Sequence, residues 1–171
     1  MTIHKTKHFV YLTLLSAMAI TLNLIESMYI GSFSFGIRIG LANIIALITI
    51  NLLDTKDMVI VNIMRVMIGN LLRGLIFGST FWIGLGGVIL SSIALIILHK
   101  TNSSLIFTAV ICSICHSVGQ VLVVMWFYKQ AAIAAILPYL LLGSIPMGFL
   151  TGYTAKLVLQ RIKPIKLDTT K

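Results

Sequence analysis

Residues 61–77, VNIMRVMIGNLLRGLIF, decide how this chain folds. The apolar residues are too dense and too continuous for a surface helix of a water-soluble domain, yet Arg65, Asn70 and Arg73 interrupt them. An arginine facing hydrocarbon at the centre of a bilayer costs about 3 kcal/mol or more. These side chains must therefore face protein, water or an anion.

The rest of the chain agrees with a membrane setting. Apolar residues make up 58% and charged residues 10%, with a mean hydropathy of +1.06; a soluble domain carries roughly 25% charged residues. The composition specifies an all-α integral membrane protein. At 171 residues there is room for one helical bundle, a single membrane domain over 1–171, and none for a catalytic domain beside it. Apolar runs of about 17 to 25 residues predict a bundle of six transmembrane helices. They cover residues 9–28, 37–53, 58–77, 81–98, 105–128 and 138–159, with a basic tail over 160–171. Pro138 suits the first turn of the last helix, and residues 131–137 read as an interfacial segment. The first span is expected to remain in place rather than be cleaved as a leader. It is longer than a signal-peptide core and is followed by Glu26 and Tyr29 instead of small residues.

Lysines and arginines set the orientation, because short loops rich in them stay in the cytoplasm. With the amino terminus inside, Lys5, Lys7, Lys56, Lys100, Lys156, Arg161, Lys163, Lys166 and Lys171 all lie on the cytoplasmic side. Only Arg38, Arg65, Arg73 and Lys129 do not. The net charge of +9 is thus mostly a topology signal, with both termini expected to be cytoplasmic. A nucleic-acid surface is disfavoured, since the charges are scattered over loops and a tail without interleaved aromatics.

Threaded this way, Glu26, Arg38, Asn43, Asn70, Arg73 and Gln120 gather in the outward half of the bundle, and Arg65 and His116 lie near the midplane. That is the pattern of a substrate-binding cavity. The same residues also fit a plainer role. Amides and hydroxyls in membrane helices often bond one helix to another, worth about 1 kcal/mol each, and an arginine near a helix end reaches for the headgroups. Glu26 can neutralise at most one of the arginines, so the cavity favours a ligand with negative charge.

Cys112, Cys115 and His116 form CSICH on one face of the fifth span. Such residues can hold a soft metal or a c-type haem. A structural zinc site needs four ligands and no other cysteine exists, so helix packing is the favoured reading and no cofactor is expected. Ser16, Ala17 and Thr21 make a small-residue face on the first span that suits close contact with another membrane protein.

Four blocks carry a family resemblance: GIRIGLANIIAL (36–47), MRVMIGNLLRG (64–74), CHSVGQVLVV (115–124) and LPYLLLGSIPMGFLTGY (137–153). Together they resemble the Gx transporter family, also labelled heptaprenyl diphosphate synthase component I and related to the substrate-binding S components of energy-coupling factor (ECF) transporters. The resemblance spans nearly the whole chain. It implies six helices, an outward cavity capped by the loop between the first two, and a face on the first helix that meets the ECF transmembrane coupling subunit. On this reading the chain captures a small polar or anionic metabolite or vitamin, and separate ATPase subunits supply energy, since no phosphate-binding G-x-x-x-x-G-K-[ST] loop occurs here. The synthase label implies an accessory role in isoprenoid or quinone formation instead. Chain elongation needs carboxylate clusters for magnesium, and with only Asp54, Asp57 and Asp168 this chain cannot perform it alone. A ligand-free partner of a membrane redox complex is the remaining alternative.

Overall fold

The computed structural model describes residues 3–30 and 40–162. Six α-helices and no strand occur among them: α1 (Ile3–Ile25), α2 (Leu41–Leu52), α3 (Thr55–Leu72), α4 (Ser79–Lys100), α5 (Leu105–Tyr128) and α6 (Leu137–Arg161). A π-helical turn, Glu26–Ile30, extends α1, and a 3₁₀ turn, Ala131–Ile136, precedes α6.

Local chemistry sets the boundaries. Asp54 caps α3 by accepting a hydrogen bond from the Thr55 N–H at 2.7 Å, which starts the helix three residues before the expected 58. At the other end the expectation ran too far. Arg73 is already the C-cap, and Gly74 takes a left-handed φ of 66° that a helix cannot continue through. Ser104 accepts from the Phe107 N–H and opens α5 at the expected residue.

Among the described residues, four helical segments are long and apolar enough to cross a membrane: Lys5–Met28, Ser79–Lys100, Leu105–Tyr128 and Ala131–Arg161. The other two fall short of the six expected spans for identifiable reasons. α2 has 12 residues, about 18 Å at 1.5 Å per residue against a hydrocarbon core of about 30 Å. Left-handed Gly40, φ 76°, marks its start, and residues 31–39 lie outside the described part of the chain. α3 carries Lys56, Asp57 and Arg65 within 18 residues.

α2 is buried on every side from Ile44 to Ile50, so protein rather than lipid surrounds it. Its aliphatic residues form the main core with Leu15, Ala19, Met58, Val61, Leu95 and Ala155. Around α2 the bundle divides into two parts. α4, α5 and α6 interlock through glycines: a Cβ on Gly119 would lie 2.5 Å from the Gly86 carbonyl oxygen, and one on Gly148 would lie 2.7 Å from the Val110 Cα. Such backbone contact is what small residues permit between membrane helices. α1 and α3 pair on the other side, with Asn23 against Gly69 at α3's C-terminal end and His8 Nε2 2.8 Å from Asp57 Oδ2 at its start.

Candidate functional site

The seam between these two parts holds a polar pocket. It lies where α1 ends, α2 begins, α3 ends and α4 begins, and it is lined by Asn23, Glu26, Gly40, Ala42, Asn43, Arg65, Val66, Asn70, Arg73, Thr80, Gly84, Val88 and His116. Six residues expected from the sequence therefore meet in one place: Glu26, Asn43, Arg65, Asn70, Arg73 and His116. Gln120 is buried and does not line the pocket, although its Cγ packs against Gly87 next to the His116 ring. Arg38 lies outside the described residues.

Each polar side chain is positioned by its helix. Arg65, only 3% exposed, points from the middle of α3 toward α2, where its Nη1 donates to Asn43 Oδ1 at 3.1 Å. Arg73, half-buried, reaches from the end of α3 back to α1, donating to Ser27 Oγ at 3.1 Å, while Ser27 donates to the Asn23 carbonyl at 2.7 Å. Asn70 turns its amide onto the Val66 carbonyl of its own helix.

Glu26 does something the sequence did not reveal. Its two carboxylate oxygens accept hydrogen bonds from the Gly40 and Leu41 N–H groups at 2.6 and 3.1 Å. These are first-turn amides of α2, which lack partners within the helix and carry the positive end of its dipole. The acid from α1 thus seals the start of a short buried helix 14 residues downstream.

The pocket has a volume of about 30 Å³. A single water needs about 10–15 Å³ measured this way, so the site admits one or two waters, and a metabolite requires the seam to widen. The join between α3 and α4 beside the pocket is a tight turn over residues 73–78, in which the Gly74 N–H donates to the Leu71 carbonyl and the Gly78 N–H to the Leu75 carbonyl. Two guanidinium groups face one carboxylate, which favours an anion or a strongly hydrogen-bonding polar group. No cluster of three or more metal-ligating side chains occurs among the described residues. Cys112 is buried and Cys115 half-buried, both as free thiols, and His116 turns to the pocket.

Among the other lining residues, Asn23, Thr80 and Gly84 were not singled out from the sequence. Asn23 had a usable signal, an amide inside an apolar helix; Gly84 and Thr80 had none beyond small size. On α1, Ala17 and Thr21 are exposed, but Ser16 is buried beside Leu15 and Ala19, so it belongs to the inner face and not to an external docking surface.

A family model described as heptaprenyl diphosphate synthase component I matches residues 15–158 of this chain. Comparisons with curated proteins and with solved structures gave no match.

Proposed function

Since the chain belongs to the heptaprenyl diphosphate synthase component I family, we propose that it is a non-catalytic membrane subunit that holds a small anionic metabolite between Arg65 and Arg73 for partner proteins. The observation that carries this reading is the charge of the pocket: two arginines line it against a single carboxylate. Both oxygens of that carboxylate are already engaged by the amides of α2.

The family description points to the formation of a polyprenyl diphosphate, and a diphosphate is the kind of ligand that guanidinium groups hold well. The chemistry itself belongs to a partner. Three aspartates, two of them at the start of α3 and one in the tail, do not make a magnesium-binding cluster. The partner is a soluble prenyltransferase on this reading.

A second reading, that of the substrate-binding subunit of an ECF-type importer, is favoured by where the pocket lies. Lys5, Lys7, Lys56, Lys100, Lys156 and Arg161 are exposed at the end of the bundle where α1 begins and α6 finishes, and the pocket is at the other end. By the charge rule this supports a pocket that opens outward from a bacterial plasma membrane, a reading in which α2 and α3 would be the fifth and sixth crossings. The coupling subunit would then meet α1 at Ala17 and Thr21.

Two measurements test the proposal. Thermal unfolding with farnesyl diphosphate reads binding directly: ligand at a hundred times its Kd adds about 2.7 kcal/mol of stability, and Arg73→Ala should abolish that gain. Equal stabilisation of both proteins, or of neither, contradicts the pocket as a diphosphate site. Gentle purification then separates the readings, since a retained prenyltransferase supports the first and retained ATPase subunits the second.

A further inference from the structure

The polar pocket is the first of three voids that follow one another along the seam. A second, of about 10 Å³, shares Asn43 with it and is also lined by Asn62, Ser91, Ser92, Cys112 and Thr151. A third, of about 160 Å³, shares Leu47 and Leu95 with the second and is bordered by Asn51, His99, Asn102 and Ser103 at the opposite end of the bundle. His99 and Asn102 are exposed, so this last void opens to solvent.

The three voids line up because three helices repeat at their own period. Asn43, Leu47 and Asn51 are four residues apart on α2, as are Thr108, Cys112 and His116 on α5, and Ser91, Leu95 and His99 on α4. Each step is just over one turn, about 6 Å. Polar groups recur at each level except one, where Leu47 and Leu95, 2% and 4% exposed, separate the second void from the third.

Asn62 supplies independent evidence that the middle level is wet. It is 4% exposed; its amide nitrogen donates to Ser92 Oγ at 2.9 Å and to Met58 Sδ at 3.2 Å, while its amide oxygen has no partner among the described residues. Turning the amide over exchanges the two atoms without answering both, since Met58 offers no donor. A buried polar atom left unmatched costs about 1–3 kcal/mol. A void of this size takes one water, and polar voids hold water where apolar ones stay dry.

We propose that these voids form a water-filled polar path across the bundle, running from the arginine pocket to the His99 end and closed by Leu47 and Leu95. Two facing leucines act as an apolar constriction that excludes water until they part. The path gives the chain its own connection between the two membrane faces, separate from any motion imposed by partner subunits. It does not depend on which ligand the arginine pocket takes.

The test is osmotic water permeability of liposomes containing the purified protein, read by stopped-flow light scattering. The wild type should stay near the lipid background. Leu47→Ala/Leu95→Ala removes the constriction and should raise the rate severalfold above the lipid background, and adding Asn62→Leu should return it to background. Leu15→Ala/Ile45→Ala is the matched control, because it enlarges a different, aliphatic void of about 160 Å³ between α1, α2 and α6; it should leave the rate unchanged. A folded leucine double variant that conducts no more water than this control overturns the proposal. Should the double variant not fold, an experimental map of the wild type at a resolution that reveals waters decides. An ordered water within hydrogen-bonding distance of the Asn62 amide oxygen supports the path, and a clear, dry void there refutes it.

Discussion

Replacing Gly119 with alanine tests whether α4, α5 and α6 are held as one unit. A Cβ at this position would stand 2.5 Å from the Gly86 carbonyl oxygen and 3.0 Å from the Gly87 Cα, whereas ordinary contact begins at 3.4 Å. Every neighbour is backbone, so no side chain can rotate away, and α4 and α5 must separate by close to an ångström. Overpacking of this kind costs about 1–3 kcal/mol. For a protein of this size that corresponds to a fall in Tm of roughly 2–12 °C. Gly84→Ala provides the comparison: it lies on α4, the helix against which Gly119 packs, a Cβ there meets nothing within 4 Å, and helical alanine is favoured over glycine by about 0.5–1 kcal/mol. Thermal unfolding of both variants in one detergent, followed by circular dichroism, should show Gly119→Ala well below the wild type and Gly84→Ala at or above it. Equal Tm values would refute the idea that backbone contact between α4 and α5 makes that half rigid. Gly84 also lines the polar pocket, so its alanine variant should bind ligand less well despite its intact stability.

Glu26→Gln keeps the shape of the side chain but removes the charge that answers the first amides of α2. Stability should fall by about 1–2 kcal/mol, and hydrogen exchange should quicken at Gly40 and Leu41 before it does elsewhere in α2. Ser144→Ala removes the 2.6 Å hydrogen bond from α6 to Ser117 on α5; a loss of about 0.6 kcal/mol is expected, and a loss several times larger would assign the two hydroxyls more than helix adhesion. Cysteines introduced at Thr101 and Lys129, in a background where Cys112 and Cys115 are serine, should react with an impermeant reagent from opposite sides of the membrane. Reaction from one side alone would contradict the orientation drawn from the basic residues.

Much of the architecture was legible because lipid leaves few options for backbone. α5 was read to its last residue, since Ser104 caps it and left-handed Lys129 ends it. α3 was misplaced at both ends for a reason of local chemistry: its start depends on Asp54, a polar residue outside the apolar run, and residues 74–77 stay apolar after the helix has ended. α2 was drawn longer than the described helix because hydropathy does not register the left-handed turn at Gly40. Of the site, the charged and amide residues announced themselves by being expensive to bury. What composition could not reveal was direction. Gln120 is one turn from His116 on α5 and packs against the same Gly87, yet only His116 reaches the pocket, and Glu26 serves the backbone of α2. The partition of the bundle into a glycine-locked half and a looser one rests on contacts between distant residues, which no local pattern encodes.

The claim on which the functional account depends is that Arg65 and Arg73 hold an anion. Native mass spectrometry of protein extracted gently from its own membranes, wild type beside Arg73→Ala, puts the question directly. Arg73 is half-buried with one hydrogen bond to Ser27, so its loss should leave the bundle folded. The account predicts a small anionic species bound to the wild type and missing from the variant. The same species on both proteins, or none on an intact wild type, would contradict it.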